Sequence, residues 1–307
     1  MTNTLNQINY IENNSCKVCN STEQKIIGIR GNHEYTGSDC SKLPHLVTNV
    51  VQCKKCQFIY LNPDFRGSDA IEREYYSTKL NYVNNSKSFE NTFSYKLKII
   101  ENLDSVKKIA DVGSGRGEFV STLKKGGYDA IGIEPSKGLA LESEQTYGVK
   151  VINSTLEDCN DSKKFDLITS IHSLEHMSNP HDFIQATKKH MDKNGYLMIE
   201  VPNSNATILN LVNFFLALSG KKWNVKLAPL HPPFHSVAYN IQSLTTLLSF
   251  NGYKVIEYFN MSGIDRVRPS YNGFSQILGW GKYYLSKLLD RFFEGEILIV
   301  LAKLEDE

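Results

Sequence analysis

From Val106 onward, short apolar runs alternate with longer amphipathic ones, and the alternation is regular. Strands are predicted at 108–112, 129–133, 149–152, 165–171, 195–201, 253–259 and 296–303. Helices are predicted between them at 117–126, 137–147, 181–191 and 241–251. Each helix closes on a turn signal: Gly126-Gly127, Gly148, Asn194-Gly195 or Asn251-Gly252. Strand–helix alternation of this kind implies an α/β fold with a parallel, doubly wound sheet. Two insertions interrupt the pattern, at 203–240 and 261–295. The first holds an apolar helical run, Ile208 to Leu218, then Lys221-Lys222-Trp223 and His231-Pro-Pro-Phe-His235. The second holds Trp280 to Phe293, where Tyr284, Leu285, Leu288, Leu289, Phe292 and Phe293 stand beside Lys282, Lys287 and Arg291. Such helices suit a pocket wall, a homodimer contact or an interfacial membrane-surface contact.

The chain ahead of this pattern divides in two. Residues 1–65 carry Cys16-x-x-Cys19 and Cys53-x-x-Cys56, with 33 residues between Cys19 and Cys53. Two such knuckles can give four thiolates to one tetrahedral Zn²⁺. The gap exceeds the usual ~15–20 residues, so a β-hairpin excursion is expected to fill it, and His33, Cys40 and His45 lie inside as spare ligands. Free thiols without metal are the plainer alternative, and Cys159 has no partner at ligand spacing. Residues 66–105 form a Tyr-, Asn- and Lys-rich connector with helical runs at Ile71–Tyr76 and Phe89–Leu103. Residues 106–307 are the sheet domain with its insertions.

The first strand of that domain leads into Asp111-Val112-Gly113-Ser114-Gly115-Arg116-Gly117. A strand, a glycine-rich turn and a helix form a nucleotide-binding unit, and a Cβ at the turn would keep the backbone from closing on a ligand. The second strand ends in Glu134, 17 residues after Gly117, where an acid can accept hydrogen bonds from a ribose diol. The glycine spacing G-x-G-x-G differs from the dinucleotide pattern G-x-G-x-x-G. Asp111 before the loop and Glu118 after it suit a ligand with a cationic centre better than a diphosphate.

Net charge is +1 over 307 residues, so no electrostatic footprint for nucleic acid is visible. The first ten residues, MTNTLNQINY, lack the basic start and apolar core of a cleavable signal. No run of ~18 apolar residues could span a bilayer. Six cysteines in a chain of this length fit a reducing cytoplasm with metal ligation better than a disulfide framework.

With D-x-G-x-G-x-G at 111–117, the chain resembles the class I S-adenosylmethionine-dependent methyltransferases. A second match lies downstream: Phe165-Asp166-Leu167-Ile168 opens the fourth strand, and Leu174-Glu175-His176 closes it. The cysteine knuckles, ending in Phe58-Ile59-Tyr60-Leu61-Asn62-Pro63, are similar to the zinc-binding head of a subset of bacterial methyltransferases. The resemblance implies a Rossmann-like seven-stranded sheet with an antiparallel last strand, and a small N-terminal zinc-ribbon-like domain. It implies S-adenosylmethionine and Zn²⁺ as cofactors. Asp111, Gly113, Ser114, Gly115, Gly117, Glu134 and Pro135 would hold the methionine and ribose portions. Thr155 and Leu156 would flank the adenine, although many relatives carry an acid where Thr155 stands. Tyr76, with Tyr75 and Tyr82, would close over the cofactor.

The same resemblance puts His172 and His176 at the reaction centre. A hydroxyl acceptor needs a base, and a positioned one adds ~10²–10⁴-fold. His235 and His176 are the leading candidates, with His172 behind them. The relatives include sugar C-methyltransferases, whose Tyr-x-Glu-His cluster is reduced here to His235, and whose additional C-terminal domain is lacking. The expected reaction is therefore O-methylation of a sugar, nucleotide-sugar or glycan-precursor hydroxyl. The alternatives are sugar C-methylation, nicotinamide-dependent oxidoreduction, and a non-catalytic zinc-scaffolded interaction module.

Overall fold

The computed structural model describes residues 9–31, 47–66, 86–160, 162–177, 179–228, 235–261 and 294–305. Tyr75, Tyr76, Tyr82, His33, Cys40, His45 and the 280–293 run lie outside them. The head is built from β1 (Asn9–Ile11), β2 (Gln24–Gly31), β3 (Val47–Cys53), β4 (Ile59–Asn62) and β5 (Asp64–Arg66). β2, β3 and β4 form an antiparallel meander, and β1 pairs with β5.

Helix α1 (Ser86–Glu101) leads into the sheet domain. There follow β6 (Lys108–Val112), α2 (Glu118–Lys125), β7 (Asp129–Ile133), α3 (Lys137–Tyr147), β8 (Val151–Ile152) and β9 (Phe165–Ile171). After a short 3₁₀ turn at Leu174–His176 come α4 (Pro180–His190), β10 (Met191–Pro202), α5 (Thr207–Leu218) and β11 (Val237–Ala238). The chain continues through α6 (Ile241–Phe250), β12 (Tyr253–Met261) and β13 (Ile297–Leu304).

The main sheet has seven strands in the order β12-β13-β10-β9-β6-β7-β8. β6, β7, β8, β9 and β10 run parallel, while β13 lies antiparallel between β10 and β12. This is the seven-stranded, doubly wound architecture with an inserted last strand that the sequence implied. Local chemistry fixes the helices. Ser136 and Asn179 cap α3 and α4, Pro180 follows Asn179 in the first turn, and Asn240 forms a reciprocal capping box with Ser243. Asn194-Gly195, expected to be a turn, instead lies within β10 at a register irregularity between Met191 and Tyr196. Asn194 takes a left-handed φ of 60° there, so one extra twist replaces a chain reversal.

One apolar cluster joins Phe183, Leu197, Leu244 and Leu247 to head residues Phe58 and Tyr60. A second joins Ile100 of α1 to Phe119, Leu123, Leu167 and Met198, and a third, smaller one joins Ile59 and Leu61 of the head to Leu227 and Ala238. The head therefore belongs to the sheet domain's core. β11, from the first insertion, adds a strand to the head sheet, with Val237 opposite Tyr60 and Ala238 opposite Ile59. Asn240 and Gln242 at the start of α6 donate to the carbonyls of Gln57 and Lys55. By contrast α5 buries no residue among those described, and Phe214, Phe215 and Leu218 are exposed. No described helix is long and apolar enough to cross a membrane.

Gly117 holds φ at 77°, and a Cβ there would lie 2.7 Å from Val149 Cγ2 and 2.9 Å from Ser143 Cβ. Gly117→Ala should cost about 1–3 kcal/mol, read as a lower urea midpoint with an unchanged slope. An unaltered midpoint would mean that the loop does not need its left-handed residue.

Candidate functional site

The loop after β6 takes left-handed φ at Gly113, Gly115 and Gly117, of 72°, 53° and 77°. Two of its glycines make room for the protein itself. A Cβ on Gly113 would sit 2.1 Å from Ser173 Oγ, and one on Gly117 would strike Val149 and Ser143. Close packing of the loop on β9's exit and on α3 is thus a requirement for glycine at 113 and 117 in addition to the ligand clearance expected from the sequence. The turn is closed by the Gly113 N–H donating to the Ile133 carbonyl at 2.8 Å. Ser114 is buried beneath it against Gly132.

Glu134, at the carboxyl end of β7, is 6% exposed. Its Oε2 accepts from the Gly115 N–H at 2.9 Å and its Oε1 from the Ser136 N–H at 2.8 Å. Burial raises its carboxyl above the ordinary range, against these two bonds. Each oxygen keeps lone-pair capacity for a further donor. Asn153 ties the next loop down by donating to the carbonyls of Glu134 and Pro135. Thr155 Oγ1 donates to Asp158 Oδ2 at 3.1 Å, and Leu156 is buried beside them. Glu118 does not face the loop as a free carboxylate, since Arg116 lies 3.7 Å from it and 3.2 Å from Glu142.

Asp111 is buried, and its Oδ1 accepts from Thr169 Oγ1 of the neighbouring strand at 2.7 Å. Burial pushes its carboxyl up to about 7, against the pull of Thr169 and Lys96. The carboxyl ends of β6, β7 and β10 thus carry Asp111, Glu134 and Glu200 to one sheet edge.

A buried chain of charges runs along it. Lys96 of α1, fully buried, places Nζ 2.7 Å from Glu200 Oε2. Glu200 Oε1 accepts from His172 Nε2 at 2.9 Å, and His172 Nδ1 donates to Glu175 Oε1 at 3.2 Å. His172 holds a left-handed φ of 52°, anchored by its N–H on the Glu200 carbonyl at 2.9 Å. Burial works against its charge, but the two carboxylates prevail and its pKa is raised. The same pairing holds Glu175 below the usual range and Glu200 down at about 2, although burial alone would raise both. His172, one of three histidines suggested as a base, is therefore a clamped donor.

The other two converge. The His176 and His235 rings lie 5.0 Å apart between centroids, tilted by 55°. His235 Nε2 stands 3.6 Å from Glu175 Oε1. Burial pulls His235 down to about 4, with His176 and His172 adding to the effect and Glu175 opposing it. His176 comes from the turn after β9, and His235 from the residues entering β11, so topology brings them together.

The four head cysteines are buried free thiols. The Sγ atoms of Cys16 and Cys56, and of Cys19 and Cys53, are each 3.5 Å apart, and all four lie within 4.8 Å of one another. Four sulfurs on one zinc at ~2.3 Å would stand roughly 3.8 Å apart, so the set fits a tetrahedral ion. The hydrogen bond between Cys56 and Cys16 pulls the Cys16 thiol down to about 5 and pushes Cys56 up. The two knuckles repeat one backbone design. In each, the first cysteine's N–H donates five residues on, to Ser21 or Phe58, and the residue between, Asn20 or Gln57, is left-handed.

Sequence reasoning missed Lys96 and Glu200. Lys96 shares the apolar face of α1 with Phe93 and Ile100, and Glu200 follows Leu197-Met198-Ile199 in a strand. A charge inside an apolar pattern was the signal available for each.

The family described as a methyltransferase domain matches residues 86–258, more than half of the chain. The ubiquinone biosynthesis O-methyltransferase of Glaesserella parasuis is 29% identical over 134 residues, covering 40% of this chain and 55% of the relative. The protein of the same name from Pectobacterium atrosepticum is 29% identical over 132 residues, covering 40% and 52%. The chain thus spans about half the length of the curated relatives it matches. Among solved structures, a chain from the complex of the Haloferax volcanii Trm112 methyltransferase activator with a methyltransferase aligns with a TM-score of 0.51 at 12% identity. It covers 78% of this chain and 98% of that one, and shows a shared fold.

Removing one partner from a buried ion pair leaves the other charge uncompensated. Lys96→Met should therefore cost about 3–5 kcal/mol, measured by urea unfolding. A loss below about 1 kcal/mol would show that Glu200 is held well enough by His172 alone.

Proposed function

This chain belongs to the methyltransferase-domain family, and on that premise we propose that it transfers the methyl group of S-adenosylmethionine to a hydroxyl oxygen of a small molecule. The observation that carries the reading is Glu134. It is a buried carboxylate held by loop N–H groups, with acceptor capacity to spare at the carboxyl edge of the sheet, where open α/β sheets bind ligands. The names of the relatives support oxygen as the receiving atom.

The cofactor supplies an activated methyl on a sulfonium, so the protein's task is mainly alignment of donor and acceptor, worth up to ~7–11 kcal/mol of barrier. Glu134 would accept from the ribose hydroxyls. Gly113, Gly115 and Gly117 give the loop its tight course, and Thr155 and Leu156 would flank the adenine beyond Pro135. Asp111 and Glu134 give the edge the negative potential that a sulfonium and an ammonium need, since Glu200 is offset by Lys96. Tyr76 belongs to this reading from the sequence and lies outside the described residues. At the far end of the edge, His176 and His235 would meet the acceptor hydroxyl and take its proton, while His172 fixes Glu175. A sugar or nucleotide-sugar acceptor is the finer form of the reading. It draws on the head's resemblance to sugar-pathway enzymes, and the names of the relatives do not extend to it. Zinc on Cys16, Cys19, Cys53 and Cys56 would hold the head that supplies the partner strand for β11. Free thiols of this kind suit a reducing cytoplasm.

Calorimetry should find S-adenosylmethionine and S-adenosylhomocysteine bound and NAD⁺ not. Glu134→Ala should weaken the first two by roughly 10–100-fold, the value of a charge-assisted bond of ~1.5–3 kcal/mol. Binding of NAD⁺ alone would return the loop to a dinucleotide. The pH dependence has a definite sign. A cationic ligand binds the ionised form of Asp111, whose carboxyl sits at about 7, so protonation opposes binding. Affinity should fall about tenfold from pH 8 to pH 6, and Asp111→Asn should flatten that dependence. A flat profile in the unmodified protein would separate Asp111 from the cofactor. Removal of zinc by a strong chelator should lower Tm and the transfer rate more than it weakens cofactor binding, because β11 is anchored in the head and the glycine loop is not. Equal loss of both would mean that the domain unfolds as one.

A further inference from the structure

We propose that Glu175, His176 and His235 form a second metal site, for a divalent first-row transition ion, at the acceptor end of the sheet edge. The inference deepens the O-methyl-transfer reading and rests on it for its role in the reaction. The geometry stands independently of that role. One ligand atom from each of the three residues lies within 4.8 Å of the other two. They come from the 3₁₀ turn after β9 and from the residue that leads towards β11, so the site closes only when the insertion docks on the head.

The orphaned oxygen of Glu175 is the second observation. The residue is 1% exposed; Oε1 accepts from His172, while Oε2 has no hydrogen-bond partner among the described residues. A buried acceptor left unmade costs about 1–3 kcal/mol, and more when charged. Lys96 does not supply the partner, since its ammonium is engaged by Glu200 at 2.7 Å. The hydroxyl of Tyr239, fully buried, also lacks a hydrogen-bond partner among the described residues, and it lies close enough to feel the charge of Glu175. The His176 and His235 rings are tilted by 55°, not stacked flat, which lets two ring nitrogens point at one centre.

The donor set chooses the ion. One carboxylate oxygen and two imidazole nitrogens suit zinc, manganese, iron or cobalt, whereas Mg²⁺ and Ca²⁺ prefer oxygen alone. The head offers four sulfurs and is chemically distinct. Three protein ligands leave a coordination position open, as catalytic sites do, and an acceptor oxygen could fill it. His172, donating to the other oxygen of Glu175, is the outer partner that such a carboxylate needs. Among the fixed charges, Lys96 offsets Glu200 and His172 offsets Glu175. A bound dication would therefore keep its charge for the acceptor and lower the pKa of its hydroxyl. With the ion bound, His176 and His235 act as ligands in place of bases: the proton leaves to solvent, an oxygen lone pair forms the new C–O bond, and the C–S bond breaks with its pair remaining on sulfur.

The test uses the untagged full chain with its head zinc in place. Co²⁺ alone is titrated in, followed by calorimetry and visible absorption. One equivalent should bind with the weak bands of nitrogen and oxygen ligation and without thiolate charge transfer. Glu175→Gln and His176→Ala should each weaken it by at least roughly 10–100-fold, the scale set by lost outer-shell partners. No cobalt binding by the unmodified chain would overturn the site, and that measurement needs no variant to fold. Equal binding in the variants would overturn the ligand assignment. Methyl transfer without a second metal in the chain would sink the inference and leave O-methyl transfer standing. Cobalt bound through these ligands with no acceptor methylated would support the site and count against the reaction.

Discussion

The cost of burying charge governs the arrangement of this protein's sheet edge. Lys96, Glu200, His172 and Glu175 are all buried or clamped, and none could stay ionised there alone. Each therefore fixes the next: a connector helix to β10, β10 to the turn after β9, and that turn to the approach of the first insertion. A chain of paired charges needs every member in place. It gives the edge a single geometry where an apolar contact would tolerate slippage. The left-handed backbone at His172 is held by that demand, because its N–H and both ring nitrogens are committed.

The head serves the same end from the other side. Its two knuckles bring four sulfurs together, and the strand between them, β3, pairs with β4, which in turn takes β11 as an edge partner. His235 stands two residues before β11. Phe58, next to β4, packs on Tyr239 with centroids 4.9 Å apart. The head, whose cysteines lie more than a hundred residues upstream, thus helps to set where His235 stands. A head of this kind buttresses the His235 end of the sheet edge through a strand and a ring.

Much of the scaffold was legible because its signals are local. Apolar runs next to glycine marked β6 and β7, the Phe165-Asp166-Leu167-Ile168 run marked β9, and G-x-G-x-G followed by an acid marked the loop and Glu134. The antiparallel β13 came from resemblance, since no periodicity reports strand direction. β11 escaped notice because two residues carry no period, and its pairing with β4 links residues far apart in sequence. Asn194-Gly195 read as a turn because both residues favour left-handed backbone, and the strand used that freedom for a bulge. The ion chain was hidden for a related reason. Lys96 looks like any lysine of a polar connector until α1 turns it inward, and Glu200 looks like the polar end of a strand until Lys96 and His172 arrive. His235 was chosen from its motif, but its company with His176 and Glu175 depends on the tertiary path of the insertion.

The reaction proposed for this edge is methylation of oxygen. The most direct test incubates the purified chain with methyl-labelled S-adenosylmethionine and a panel of phenols, catechols and nucleotide-sugars, then locates the label by mass spectrometry. A labelled methyl ether is expected on at least one hydroxylated acceptor, formed together with S-adenosylhomocysteine and lost in Glu134→Ala at limiting cofactor. Label found only on carbon or nitrogen would contradict it, as would tight cofactor binding with no label transferred to any acceptor.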